Sequence, residues 1–119
     1  MSTDEGGPQL KSCPRKPNCV SSQGSGRQYI APFPGGEETW ERLPRVLEAM
    51  PGVRIVEQTA DAIRAEARTR VLRFVDDLDF VRDREQGAIE VRSASRLGYS
   101  DFGVNRRRLE AVRAALRKE

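Results

Sequence analysis

The sequence predicts an α+β fold. It is a two-layer sandwich of a four-stranded, mostly antiparallel sheet with two helices on one face, plus an extended N-terminal arm that carries both cysteines. Three observations lead there. Residues 62–71 alternate cleanly, with Ile63, Ala65, Ala67, Thr69 and Val71 on one side and Arg64, Glu66, Arg68 and Arg70 on the other, the mark of a sheet covered on one face and wet on the other. Two segments place apolar residues at helical spacing, one near the middle of the chain and one at its end. The links between the elements are short, which favours hairpins over crossovers.

In order, residues 1–10 read as a flexible N-terminus and residues 11–119 as a single domain. Pro14, Pro17, Pro32 and Pro34 disfavour regular structure, so the arm is expected to wrap over the domain. From Glu38 to Met50, Trp40, Leu43, Val46, Leu47 and Met50 share a helical face; Pro44 leaves the start of this helix open, and Pro51-Gly52 stops it. Val53 to Gln58 reads as a strand, joined through Thr59-Ala60-Asp61 to the alternating strand. After an acidic corner at Asp76-Asp77, Leu78 to Arg82 is a third strand and Ala88 to Ser95 a fourth, with Ile89 and Val91 inward. Asn105 is expected to cap a final helix that buries Leu109, Val112 and Leu116.

Composition narrows the function. The chain has 119 residues, room for one modest core, with 37% hydrophobic and 33% charged residues. No stretch approaches the roughly 20 apolar residues of a membrane-spanning helix. The N-terminus lacks a signal peptide's basic and apolar regions, so as written the chain is expected to be cytoplasmic, and extracytoplasmic if a leader has been trimmed. Net charge is +3, but beyond residue 36 basic and acidic residues nearly balance, which argues against a nucleic-acid-binding face. There is no histidine, which removes Ser-His and Cys-His pairs and His-ligated metals. No cofactor, metal site or catalytic residue is assigned on sequence, and an enzyme is disfavoured.

Three groups of residues carry chemical interest. Cys13 and Cys19 frame C-P-R-K-P-N-C. A disulfide closing this ring would contribute roughly 2 kcal/mol; an inert thiol pair, a redox pair and a metal shared between chains are the alternatives. Asp76, Asp77 and Asp79 form the one dense acidic cluster, suited to acid/base work or a divalent cation, or to neutralising Arg92 and Arg96 across the sheet. The third group spans Arg92 to Arg108, where five arginines and three serines crowd a glycine-containing loop. Arg106-Arg107-Arg108 opens the last helix against its dipole, at about 0.3–1 kcal/mol each when exposed. Such a run calls for an anion, either internal (Asp101 or the acidic cluster) or a bound phosphate, sulfate or carboxylate. Arg92, Ser93, Ser95, Arg96, Asp101, Asn105 and Arg106 are therefore the candidate ligand-binding set. Gly98 and Gly103 are expected at positive φ, and Tyr99 and Phe102 are expected to anchor the loop in the core.

C-P-R-K-P-N-C-V-S-S and R-S-A-S-R-L-G-Y-S-D-F-G-V-N-R-R-R-L-E, with D-D-L-D-F-V between them, resemble the bacterial and plastid family called domain of unknown function 1499, over roughly residues 10–117. The resemblance implies a single compact domain and marks Asn18, Ser22, Gly98 and Gly103, beside the residues above, as matching its motifs, without roles. The expectation is a non-enzymatic binding or accessory domain with an anion-accepting site, for a small anionic ligand or a protein partner. The alternatives are an enzyme working through Asp76 and Asp77, and an interaction module whose polar motifs are satisfied internally.

Overall fold

The structure, a computed structural model, describes residues 9–69 and 74–118. Its strands are β1 (Cys19–Ser21), β2 (Phe33–Pro34), β3 (Val53–Gln58), β4 (Ala62–Arg68), β5 (Val75–Asp83) and β6 (Ala88–Ser95), and its helices α1 (Glu37–Glu48) and α2 (Val104–Lys118). The class is α+β, but the sheet has six strands rather than four, in the order β1-β6-β5-β4-β3 with β2 also on β6. Every pairing between these strands is antiparallel.

The two additional strands come from the arm. A central strand as long as β6 presents backbone N–H and C=O groups along both edges, and buried groups of this kind need partners. Cys19–Ser21 and Phe33–Pro34 supply them along the edge of β6 away from β5. Ser22 extends the ladder with its side chain: its Oγ accepts from the Val91 amide at 2.8 Å, and its own amide donates to Val91 O at 2.8 Å. Prolines leave room for strands this short because each sits beside, or at the end of, the paired residues.

Alternation along β4, β5 and β6 sorts side chains onto two faces. Ile63, Ala65, Ala67, Leu78, Phe80, Ile89 and Val91 are buried in one cluster with Trp40, Leu43, Val46 and Leu47 of α1 and Leu109, Val112 and Leu116 of α2. Val20, Ile30 and Phe33 of the arm complete it. Arg64, Glu66, Asp77, Asp79 and Arg92 occupy the opposite face.

α1 begins with Glu37 and Glu38, whose charges suit the positive end of the helix, and runs unbroken through Pro44. It stops before Gly52, whose φ is +78° and where a Cβ would lie 2.7 Å from Arg68 O; only glycine fits. β3 carries an irregularity between Ile55 and Glu57, so that Glu57 rather than Val56 lies opposite Arg64, and Val56 is exposed. β5 starts earlier than its pattern suggests: Asp76 and Asp77 are strand residues, opposite Ser95 and Ala94 of β6, not a corner before it. The expected strand residue Val71 lies outside the described residues.

Candidate functional site

The motif residues converge where the end of β6, the start of α2 and the cysteine ring meet, and Asn105 is their hub. Its side chain is fully buried. Its Nδ2 donates to Asp101 Oδ2 (2.8 Å), Ser95 Oγ (2.9 Å) and Asn18 O (3.3 Å). Its Oδ1 accepts from Ser93 Oγ and from Arg108 Nη1 (3.1 Å). Asn105 is not the helix cap that its position suggested. Asp101 does that work: its carboxylate accepts from the amides of Gly103 (2.8 Å) and Asn105 (3.2 Å), placing negative charge at the positive end of α2. Asn105 sits in the first turn and is turned inward.

The arginine run resolves residue by residue. Arg108 reaches Asp76 at 2.8 Å, a pair with both side chains largely buried. Arg106 donates to the carbonyl of Arg27 at 2.7 Å. Arg107 is exposed and has no acidic partner among the described residues. Arg96 lies on the opposite face, doubly bonded to Asp77 (2.8 and 2.9 Å) and bonded to Glu66 (2.9 Å). Arg92 sits under the arm, donating to Ser12 O at 3.0 Å and 3.8 Å from Asp79. The candidate ligand-binding set is therefore divided by the sheet: Ser93, Ser95, Asp101 and Asn105 meet at the hub, Arg92 and Arg96 stand on the far face, and Arg106 lies to the side.

The acidic cluster is divided in the same way. Asp76 turns to the core face and Arg108, whereas Asp77 and Asp79 project from the other face, so Asp76 and Asp77 do not form a carboxylate pair. On that face a groove of ≈ 480 Å³ runs beneath Leu10 and Lys11, with Arg64, Asp77, Asp79 and Arg92 along it. The Arg96 guanidinium holds Asp77 below the ordinary carboxylate value. Burial pushes Asp79 above it, against the pull of Arg92 and Arg64.

Cys13 and Cys19 are joined in a disulfide. The ring is held from outside by Gln28, whose Nε2 donates to Pro14 O (2.6 Å) and Lys16 O (3.0 Å). It delivers Asn18 to the hub. Asn18 Nδ2 donates to Gly98 O at 2.8 Å, its carbonyl accepts from the Ser95 amide at 2.9 Å, and Pro17 O accepts from the Asp101 amide at 3.0 Å. Sequence marked Asn18 but gave it no role.

What this framework holds is the loop from Arg96 to Gly103, and here the expectation of a core anchor is overturned. Phe102 is 84% exposed, and Leu97 and Tyr99 are each 69% exposed. Phe102 also has a φ of +52°, the sole positive value at a described non-glycine residue, a region disfavoured for a bulky side chain. Asp101 O accepts from the Val104 amide at 3.0 Å, so Phe102 and Gly103 (φ +83°) are the central residues of a tight turn with two positive φ values. Gly98, at φ +89°, makes the other bend. Between the turns lies an apolar hollow of ≈ 380 Å³ walled by Phe74, Leu97, Phe102 and Val104. On the other side of Ser100 and Asp101 is a smaller hollow of ≈ 200 Å³, flanked by Arg27, Gln28 and Arg106. Glycines and apolar residues at 97, 99 and 102, fitting neither strand nor helix period, were the available signal for an outward loop.

An α+β fold with this clasped loop is the class that the geometry defines. The family model described as "Protein of unknown function (DUF1499)" matches residues 9–116. The chain belongs to the DUF1499 family, as its cysteine-ring and arginine-loop motifs suggested. Neither the curated proteins nor the solved structures contain a match to it.

Proposed function

We propose that the protein is a non-enzymatic binding module whose contact surface is the 96–103 loop. The polar motif residues are the framework that holds this loop outward. The observation that carries the reading is Phe102, a large apolar side chain left in solvent on a backbone conformation that costs of order 1 kcal/mol or more. A loop selected only for stability would place Asn or Gly at that position, or turn the ring inward. The internal satisfaction of Asn105, Asp101, Asp76 and Arg108 supports the same division of labour, since buried polar networks rigidify what they support. The distribution of core side chains supports a two-layer arrangement with both helices against one sheet face, which leaves the loop at the rim, open to a partner. The small hollow beside Arg27 and Arg106 gives this surface a place for an anionic group, the part of the expected anion site that Arg106 retains.

The test is a hydrophobic dye titration of the folded protein beside the variant Leu97→Ser, Tyr99→Ser, Phe102→Asn. The wild type should enhance dye fluorescence at neutral pH. The variant should lose that enhancement while its melting temperature stays within about 2 °C, because Asn relieves the positive φ and no core contact is lost. Unchanged dye binding, or a variant that unfolds, would sink the reading.

A further inference from the structure

We propose that the 96–103 loop docks on an anionic lipid bilayer, inserting Leu97, Tyr99 and Phe102 while Arg27 and Arg107 meet the headgroups. The inference rests on reading this loop as the contact surface and names what it contacts.

The argument begins with shape. Phe102, Leu97 and Tyr99 project from turns made by Gly98 and Gly103, and each leaves most of its surface outside the protein. Protruding apolar tips of this kind suit a fluid apolar phase, which closes round a side chain from all directions. A protein partner needs a matching pocket for each. Tyr99 adds an apolar body with a polar end, the amphipathic form favoured at a membrane–water boundary.

Charge supplies the complement. Among the described residues, every carboxylate near the tip is occupied. Asp101 is bound to backbone amides and Asn105, Asp76 to Arg108, and Asp77 and Glu66 to Arg96. The cations are not matched in the same way. Arg106 donates to a neutral carbonyl, and Arg27 and Arg107 have no acidic partner among the described residues. A Cβ at Gly103 would lie 2.9 Å from Arg107 Nη1, so that guanidinium rests over the Phe102–Gly103 turn, next to the side chain proposed to insert. Arg27 flanks the adjoining hollow with Arg106. Apolar tips ringed by unmatched arginines fit a surface of lipid phosphates over an apolar interior. No helix among the described residues is long and apolar enough to cross a membrane; the contact proposed for the loop is peripheral and reversible.

The experiment is co-sedimentation of the full chain with phosphatidylcholine vesicles and with mixed phosphatidylcholine–phosphatidylglycerol vesicles, at low and at physiological salt. Sedimentation velocity without lipid runs alongside. The protein should bind the mixed vesicles, release with salt, and leave neutral vesicles in the supernatant. Arg27→Gln and Arg107→Gln remove no ion pair and should each weaken binding about fivefold. The Leu97→Ser, Tyr99→Ser, Phe102→Asn variant should abolish it. Four results would overturn the proposal: no association with the mixed vesicles, equal association with neutral ones, binding indifferent to the loop substitutions, or a dimer that those substitutions dissolve. Failure with vesicles while dye binding remains loop-dependent removes the lipid alone. Loss of fold in the loop variant removes both readings.

Discussion

Asp77 and Asp79 stand two residues apart on one strand face, yet their surroundings act on them in opposite directions. Asp77 is bound by both arms of the Arg96 guanidinium and held below its ordinary value. Asp79 touches Arg92 and Arg64 only at 3.8 and 3.7 Å, and its burial outweighs their attraction, so it titrates higher than usual. A carboxylate with a depressed folded pKa contributes stability above its unfolded value, near 3.8, and loses it as pH falls through the folded value. One with a raised folded pKa does the reverse: its ionisation penalises the fold above the folded value, and the penalty vanishes below the unfolded one. Melting curves taken on both sides of the ordinary carboxylate value of 3.8 should therefore separate two variants. The deficit of Asp77→Asn relative to wild type should open as pH rises through the depressed folded value toward the ordinary one. Asp79→Asn should gain on wild type as pH rises from the ordinary value through the raised folded one. Parallel curves for the two variants would contradict these assignments. Arg96 also shows what spacing conveyed at this scale. The pairing of the acidic cluster with Arg92 and Arg96 followed from charged residues alternating on a strand face, whereas the burial that separates Asp79 from Asp77 depends on the arm crossing above.

At the scale of elements, the cysteine ring and the 96–103 loop are one assembly. The disulfide closes a seven-residue ring from Cys13 to Cys19. Within it, Pro17 and Asn18 donate to or accept from Gly98, Ser95, Asp101 and Asn105. Chain entropy for so short a ring amounts to about 2 kcal/mol, or about 8 °C for a domain of this size. Reductant should lower the wild-type melting temperature by about that much and leave Cys13→Ser, Cys19→Ser unmoved; a wild type insensitive to reductant would show the ring to be energetically idle. Alternation gave β4 and β6 directly, and helical spacing gave the core of α1 and α2, because those patterns report burial against a nearby face. β1 and β2 were hidden because two or three residues carry no readable period and prolines surround them. Their strand character comes from the unfilled edge of β6, a tertiary demand. Asn105 looked like a cap for a related reason: Asn at a helix start is a local preference, and two partners that claim it, Ser93 Oγ donating to its Oδ1 and Ser95 Oγ accepting from its Nδ2, come from β6, elsewhere in the fold.

Across the whole molecule, polar and apolar residues at this end have exchanged their usual places. Asn105, Ser93 and Asp76 lie inside, while Leu97, Tyr99 and Phe102 lie outside. The sequence located this region through its density of arginines, serines and glycines, but an aromatic on a glycine-flanked loop reads equally as a plug or as a probe until its surroundings are known. The arrangement makes sense if the buried network fixes the loop and the loop does the binding. Urea unfolding of two variants, side by side, tests that division directly. Asn105→Ala takes the partner from the Ser93 and Ser95 hydroxyls and one bond each from Asp101 and Arg108 at the hub, and should lower stability by about 3 kcal/mol. Leu97→Ser, Tyr99→Ser, Phe102→Asn should change it by less than about 0.5 kcal/mol, as substitutions away from core and network do. The opposite order, a tolerant hub and a loop whose three side chains the fold cannot lose, would contradict the account.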